Sequence, residues 1–63
     1  MNTTYMKEYW KGYRAMKRKA YDYYNVRTAF LEIYNSNHGN AYVAGACKAK
    51  EYIERIGLQN LKI

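Results

Sequence analysis

Asn35-Ser36-Asn37-His38-Gly39-Asn40 is the stretch that divides this chain into two parts. It concentrates turn-forming residues, because asparagine and serine side chains hydrogen-bond to nearby backbone and glycine adopts positive φ angles. Proline is absent and helix-forming residues are spread over the rest of the chain, so helices are expected on both sides of the turn. The sequence therefore predicts an all-α fold with a long first part and a short second part.

The long first part, residues 3–35, carries two apolar stripes that point in different directions. The early stripe, mostly tyrosine, follows steps of three and four, and the later one is spaced i, i+3, i+4, i+7. The later stripe is rotated toward the side that is charged in the earlier turns. The first set is Tyr5, Tyr9, Tyr13, Met16, Ala20, Tyr23, Tyr24, Phe30, Leu31 and Tyr34, and the second is Val26, Ala29, Phe30 and Ile33.

This change of direction predicts that the first part is not one straight helix. Such a helix would be about 50 Å long, far longer than the second part could cover. We predict a kink or break near Tyr24–Asn25, where Asn25 would cap a second helix. The alternative is an unbroken helix whose outer half is covered by a second copy of the chain.

The last helix is predicted over residues 41–56. Asn40 is a suitable N-cap, and Gly57 stands where a residue with positive φ commonly ends a helix. Gly45 weakens a helix by about 1 kcal/mol relative to alanine, so we expect it to serve close packing. The tail is expected to fold back onto the core, which gives a three-helix or helical-hairpin arrangement. The apolar face of the helix is Tyr42, Ala46, Ala49, Ile53 and Ile56, and the aliphatic tail residues are Leu58, Leu61 and Ile63.

The length of the chain predicts a single domain over residues 1–63. A domain of this size buries only about 60% of the surface that its unfolded chain exposes, so its stability is expected to depend on good helix packing, a partner or self-association. Because Cys47 is the only cysteine, no intramolecular disulfide can form. A lone His38 beside it cannot complete a four-ligand zinc site, so neither a metal nor a cofactor is expected.

Catalysis is not expected either. Cys47 falls on the polar side of its helix, and no carboxylate is placed to orient His38 as its base. The chain has neither an apolar run of about 20 residues that could span a membrane nor a signal peptide at its amino terminus. We therefore expect a complete, soluble, non-enzymatic protein in the reducing cytoplasm.

The most informative feature for function is a row of cations opposite the tyrosines. Lys17 and Lys19 widen this row, and Glu8 is the only acidic residue before Asp22. Cations that pair with phosphates, bordered by rings that stack on bases, are the components of a nucleic-acid interface. The four cations of the row are spaced four, three and four apart; they are Lys7, Lys11, Arg14 and Arg18. With Lys17 and the rings that border the row, the candidate nucleic-acid-binding residues are Lys7, Trp10, Lys11, Arg14, Lys17, Arg18 and Tyr21.

A solvated helix face is the competing interpretation of these charges. Such a face usually interleaves glutamates that pair with cations at i, i+4. The last helix has the spacing for such pairs at Glu51–Arg55 and Lys50–Glu54, whereas the first helix is predicted to lack them. The imbalance, with a net charge of +6, favours DNA or RNA as the partner.

The mode of contact is expected to be phosphate binding with little sequence selectivity. The chain contains no zinc-finger spacing, no RNP aromatic pattern and no GXXG loop. A helix-turn-helix motif is disfavoured because it joins its helices by a turn of about three to four residues, and the turn over 35–40 is longer. The helix after that turn also opens with apolar side chains instead of base-reading ones.

A protein-interaction module is the alternative function. Tyrosine, tryptophan and arginine are the residue types that dominate interface hot spots. The chain would then act as a small inhibitor or regulator that docks on an acidic or nucleic-acid-binding surface of a larger protein. A homodimer that hides part of the tyrosine stripe is a further expectation. No membrane partner is expected, because the apolar face is tyrosine-rich and is needed as the core.

Overall fold

The structure is a computed structural model that describes residues 3–62, and it consists of three helices and a short 3-10 turn. Helix α1 spans Thr3–Tyr23, α2 spans Val26–Asn35, α3 spans Asn40–Ile56, and the 3-10 turn spans Leu58–Asn60. Each helix packs against the other two, which confirms the predicted all-α fold in its three-helix form. Within the described residues, no helix is long and apolar enough to cross a membrane.

The break between α1 and α2 lies where the change of stripe direction predicted it. Tyr24 adopts a positive φ of 50°, which ends α1. Asn25 is extended, with φ −158° and ψ 112°, and its side-chain oxygen accepts a hydrogen bond of 2.9 Å from the backbone N–H of Thr28. This is an N-cap, since it satisfies one of the backbone donors that the first turn leaves unpaired. The alternative of one unbroken helix is therefore wrong.

The turn between α2 and α3 is shorter than predicted. It comprises Ser36 to Gly39, because α2 continues through Asn35 and α3 already begins at Asn40. The first hydrogen bond of α3 runs from the N–H of Val43 to the carbonyl of Gly39 at 3.1 Å, so Gly39, with φ 97°, is the N-cap. Asn40 as N-cap was wrong. The turn is therefore short enough for a helix-turn-helix motif, and its length no longer argues against one. The apolar side chains at the start of α3 still do.

The core is built from small and aliphatic side chains instead of tyrosine. Of the predicted tyrosine-rich stripe, only Met16 and Ala20 are fully buried. Tyr9, Tyr13 and Phe30 are half-buried, and the remaining members are exposed. The second stripe and the face of α3 do point inward, as predicted. The buried residues are Met16, Ala20, Ala29, Ile33, Ala46, Ala49, Ile53 and Leu61, and the exposed members of the first stripe are Tyr5, Tyr23, Tyr24, Leu31 and Tyr34.

Helices α1 and α3 cross closely, which keeps large side chains out of the contact between these two helices. A Cβ atom added to Gly12 would lie 1.9 Å from the carbonyl oxygen of Tyr42, and one added to Gly45 would lie 1.8 Å from the carbonyl oxygen of Tyr9. The two backbones thus meet directly, leaving no room for a large side chain at the contact. The packing reason predicted for Gly45 is confirmed, and Gly12 is its partner.

The carboxyl-terminal tail folds back as predicted. Gly57, with φ 88°, donates its N–H to the carbonyl of Ile53 at 2.8 Å and ends α3. After the 3-10 turn, Leu61 is buried and Leu58 packs against the core. Ile63, which was predicted to join them, lies outside the described residues.

Candidate nucleic-acid interface

The four cations of the predicted row share the outer side of α1. Each is exposed, and they lie opposite the buried line formed by Gly12, Met16 and Ala20. At 3.6 residues per turn they fall within an arc of about 60° around the helix. We call this surface the basic face; its members are Lys7, Lys11, Arg14 and Arg18.

Two members of the basic face are paired with acids of the same helix. The ammonium nitrogen of Lys11 lies 3.3 Å from a carboxylate oxygen of Glu8, and Nε of Arg18 lies 3.6 Å from a carboxylate oxygen of Asp22. The prediction that α1 lacks such pairs was therefore wrong. Both pairs are exposed, and ion pairs of this kind contribute only about 0–1 kcal/mol, so a phosphate can replace the carboxylate at little cost.

The other two members, Lys7 and Arg14, form no ion pair with any of residues 3–62. Glu8 and Asp22 lie along one edge of the basic face, and Trp10 and Tyr21 lie along the opposite edge. On the helix, Lys7 and Arg14 are the members turned toward the aromatic edge. The cations that have no acidic partner among the described residues and the exposed aromatic rings therefore occupy the same side of α1.

The aromatic edge is accessible to a ligand. Trp10 is 44% exposed and Tyr21 is 55% exposed. Lys17 lies on the same side, and its ammonium nitrogen sits 5.7 Å from the ring centre of Tyr13. Lys19 is placed differently: it lies on the acidic side of α1, where its nitrogen is 5.7 Å from the ring centre of Tyr23. Lys17 thus extends the aromatic edge, and Lys19 does not.

Several residues near the basic face and the aromatic edge were not predicted from the sequence to belong to the site. Leu61 and Lys62 of the tail line a cleft with Arg18, Tyr21 and Asp22 of α1, so that Lys62 places one further cation beside the basic face. A second depression lies between α1 and α3 and contains Trp10. We call it the aromatic groove; it is lined by Tyr9, Trp10 and Tyr13 of α1 and by Lys48, Glu51, Tyr52 and Arg55 of α3.

The α3 side of this groove had a signal in the sequence. Lys48, Tyr52 and Arg55 follow steps of four and three, so they share one face of α3. Arg55 was predicted to pair with Glu51, but the pair that forms in the described part of α3 is Lys50–Glu54, at 3.1 Å. Neither spacing alone nor charge alone could show that this face lies beside Trp10, because that depends on how α3 crosses α1.

His38 and Cys47 occupy separate surroundings. The ring of His38 stacks on Tyr42, with centroids 4.0 Å apart and an angle of 21° between the planes. Cys47 is a half-buried free thiol. In residues 3–62, no group of three or more His, Cys, Asp or Glu side chains is close enough to hold a metal ion.

No protein-family model, curated protein or solved structure matches the chain. The basis for a function is therefore the geometry and charge of the basic face and its surroundings.

Proposed function

We propose that the chain is a non-enzymatic nucleic-acid-binding protein that contacts phosphates through the basic face of α1. The observation that carries this proposal is the placement of four exposed cations within one narrow arc, two of them, Lys7 and Arg14, without an ion pair among the described residues. A net charge of +6 on a 7.5 kDa chain adds long-range attraction toward any polyanion.

The dimensions of the basic face suit a nucleic-acid backbone. From Lys7 to Arg18 the helix rises by about 16 Å at 1.5 Å per residue. Over that length one strand of B-form DNA carries about five phosphate charges, because successive phosphates of a strand are about 3.4 Å apart along the helix axis. Lysine and arginine contacts to phosphate hold a protein on its ligand but carry no sequence information, so binding of weak selectivity is proposed. The free thiol of Cys47 supports a cytoplasmic location, which belongs to the same proposal.

Direct titration tests this function. A labelled oligonucleotide, presented both as single strand and as duplex at about 50 mM salt, is expected to bind micromolar protein. The double variant Lys7→Gln/Arg14→Gln is expected to bind at least about tenfold more weakly, since each lost phosphate contact removes counterion release. Absence of binding to both forms by the unaltered chain, with its helical circular dichroism intact, would reject the proposal.

A second candidate function is binding to a larger protein with an acidic face, as a small inhibitor or regulator. The observation that favours it is the number of large apolar side chains that the fold leaves exposed, including Trp10, Leu31 and Tyr34. Exposed aromatic residues bordered by cations are also the composition of interface hot spots. Capture of one specific protein partner, abolished by Trp10→Ala but unaffected by Lys7→Gln/Arg14→Gln, would favour this function over nucleic-acid binding.

A further inference from the structure

The aromatic groove holds its rings in fixed positions without covering them. The ring of Trp10 contacts that of Tyr9, with centroids 5.1 Å apart and planes at 83°, and that of Tyr13, with centroids 5.3 Å apart and planes at 64°. Both contacts are edge-on, which is a favourable arrangement for aromatic pairs. Trp10 remains 44% exposed and Tyr52, across the groove, remains 39% exposed. The groove therefore presents preorganised ring surface to a ligand.

The charges around the groove indicate the chemistry of that ligand. Lys48 and Arg55 line the groove, with Glu51 as the acidic member of its lining. Lys17 stands next to it, over the ring of Tyr13. The surroundings thus carry three cations against one acid. A purely apolar or proline-rich peptide would gain nothing from this excess, whereas a strand with planar rings and a charged backbone uses both the rings and the cations.

A base inside a duplex cannot use this groove, because its two faces are already stacked on neighbouring bases. An unpaired base is free to stack on an aromatic side chain while the adjoining phosphates meet lysine or arginine. The groove also adjoins the basic face, since Trp10 lies on the border between them. A strand that follows the basic face can therefore place a base in the groove without leaving the positive surface.

We infer that the aromatic groove receives unpaired bases, so that the nucleic acid bound by this protein is single-stranded, with a base stacked on Trp10 and neighbouring phosphates on Lys48 and Arg55. This inference rests on the proposed phosphate binding by the basic face. It adds two statements: that single strands bind more tightly than duplexes, and that bases as well as phosphates contribute to affinity.

Trp10 is the only tryptophan of the chain, so its fluorescence reports on the groove directly. The unaltered protein is titrated with three end-labelled probes of about 12 nucleotides, within the range that small single-strand-binding domains cover. The anisotropy of the label gives the affinity for each probe, and the fluorescence of Trp10 shows whether the groove is contacted. The probes are a single strand of mixed sequence, the duplex formed with its complement, and an abasic strand with the same phosphates. We expect the single strand to quench Trp10 and to bind about tenfold more tightly than the abasic strand, which binds without quenching.

Variants locate the contact. Trp10→Ala is expected to weaken binding to the labelled single strand by about 5- to 150-fold, whereas Trp10→Phe, which keeps a stacking ring, stays within a few fold of the unaltered chain. Tyr34→Ala is the matched control, because this ring is also exposed but lies on α2, and it is expected to leave the affinity unchanged.

The outcomes separate this inference from the proposed function. Equal affinity for the base-bearing and abasic strands, or tighter binding of the duplex, with Trp10 unquenched, overturns the inference while phosphate binding stands. Failure of all three probes to bind overturns both. Quenching of Trp10 by an acidic peptide, with no effect of the oligonucleotides, assigns the groove to a protein partner and overturns the inference.

Discussion

At the scale of single residues, Gly12 and Gly45 determine how closely α1 and α3 approach. Each glycine faces a backbone carbonyl of the opposite helix, that of Tyr42 or that of Tyr9. Glycine weakens a helix by about 1 kcal/mol relative to alanine, and this cost is offset here by direct backbone packing. The sequence indicated a role for Gly45, because alanines flank it, but Gly12 lies between a lysine and a tyrosine and had no such signal.

The sign of the effect of Gly45→Ala tests this packing. Helix propensity alone would stabilise the variant by about 1 kcal/mol, whereas overpacking typically costs about 1–3 kcal/mol, and more where the added atom meets backbone that must shift. We expect the melting temperature to fall by about 10 °C, since 1 kcal/mol corresponds to about 4–8 °C in a domain of this size. Thermal unfolding followed by circular dichroism measures it, and Gly12→Ala should behave alike. A rise in melting temperature in either variant would show that the helices do not meet at these positions.

The ion pairs of α1 could have been predicted from the sequence. Glu8–Lys11 and Arg18–Asp22 are separated by three and four residues, which is the spacing that brings side chains together on a helix. What spacing could not show is which cations stay without an acid. Variants of Lys7 and Arg14 therefore remove charges that no carboxylate of the described residues neutralises, unlike variants of Lys11 and Arg18.

At the scale of helices, the separation of α1 from α2 depends on two adjacent residues. Tyr24 adopts a positive φ of 50°, which costs a bulky residue about 1–2 kcal/mol. This cost is offset by the Asn25 cap and by burial of Ala29 and Ile33 against the other helices. The break was predictable because the apolar stripe of α2 is rotated from that of α1, and asparagine is a preferred N-cap.

Replacement of Asn25 tests the cap. Asn25→Ala removes the acceptor of the Thr28 N–H and is expected to lower the free energy of unfolding by about 1 kcal/mol. Asn25→Ser retains an acceptor oxygen and should lose only a few tenths of that amount. Chemical denaturation of the two variants and the unaltered chain gives the comparison. Equal stability of the alanine and serine variants would mean that the side chain does not cap α2.

The helix boundaries and the side chains chosen for the core were less predictable. Asn35 and Asn40 are turn-formers by propensity, yet both lie within helices because the regular backbone hydrogen bonding extends to them. The tyrosines follow helical spacing as well as Met16 and Ala20 do, and the sequence pattern alone does not rank them by depth. The packing of the helices decides this: the close crossing at Gly12 and Gly45 leaves no room for a large side chain at the contact itself, whereas Met16, one turn further along α1, is fully buried.

At the scale of the whole molecule, a core of small and aliphatic residues leaves the large aromatic side chains outside. Leu31 is 51% exposed and Tyr34 is 61% exposed on the outer side of α2, away from the basic face. The sequence could predict three helices and a basic face, since these depend on local spacing. It could not predict the aromatic groove, because its two walls come from residues about 40 positions apart that only the packing of α3 on α1 brings together.

A homodimer remains a prediction at this scale. Exposed apolar side chains that cluster on one surface commonly mark an interaction site. We expect light scattering to give a mass twice the 7.5 kDa of one chain, and Leu31→Glu to return it to that of a monomer. A monomeric mass for the unaltered chain at every concentration tested would contradict the prediction.

The salt dependence of binding, compared between two arginine variants, tests the central claim most directly. Arg14 lies on the basic face, whereas Arg27 is an exposed arginine of α2, so Arg14→Gln and Arg27→Gln remove the same charge from different surfaces. We expect the affinity of the unaltered chain for an oligonucleotide to fall steeply with salt, and Arg14→Gln to reduce the slope of log affinity against log salt by about 0.7–0.9. Arg27→Gln should leave that slope unchanged. A flat salt dependence of the unaltered chain, or equal effects of the two variants, would contradict phosphate binding by the basic face.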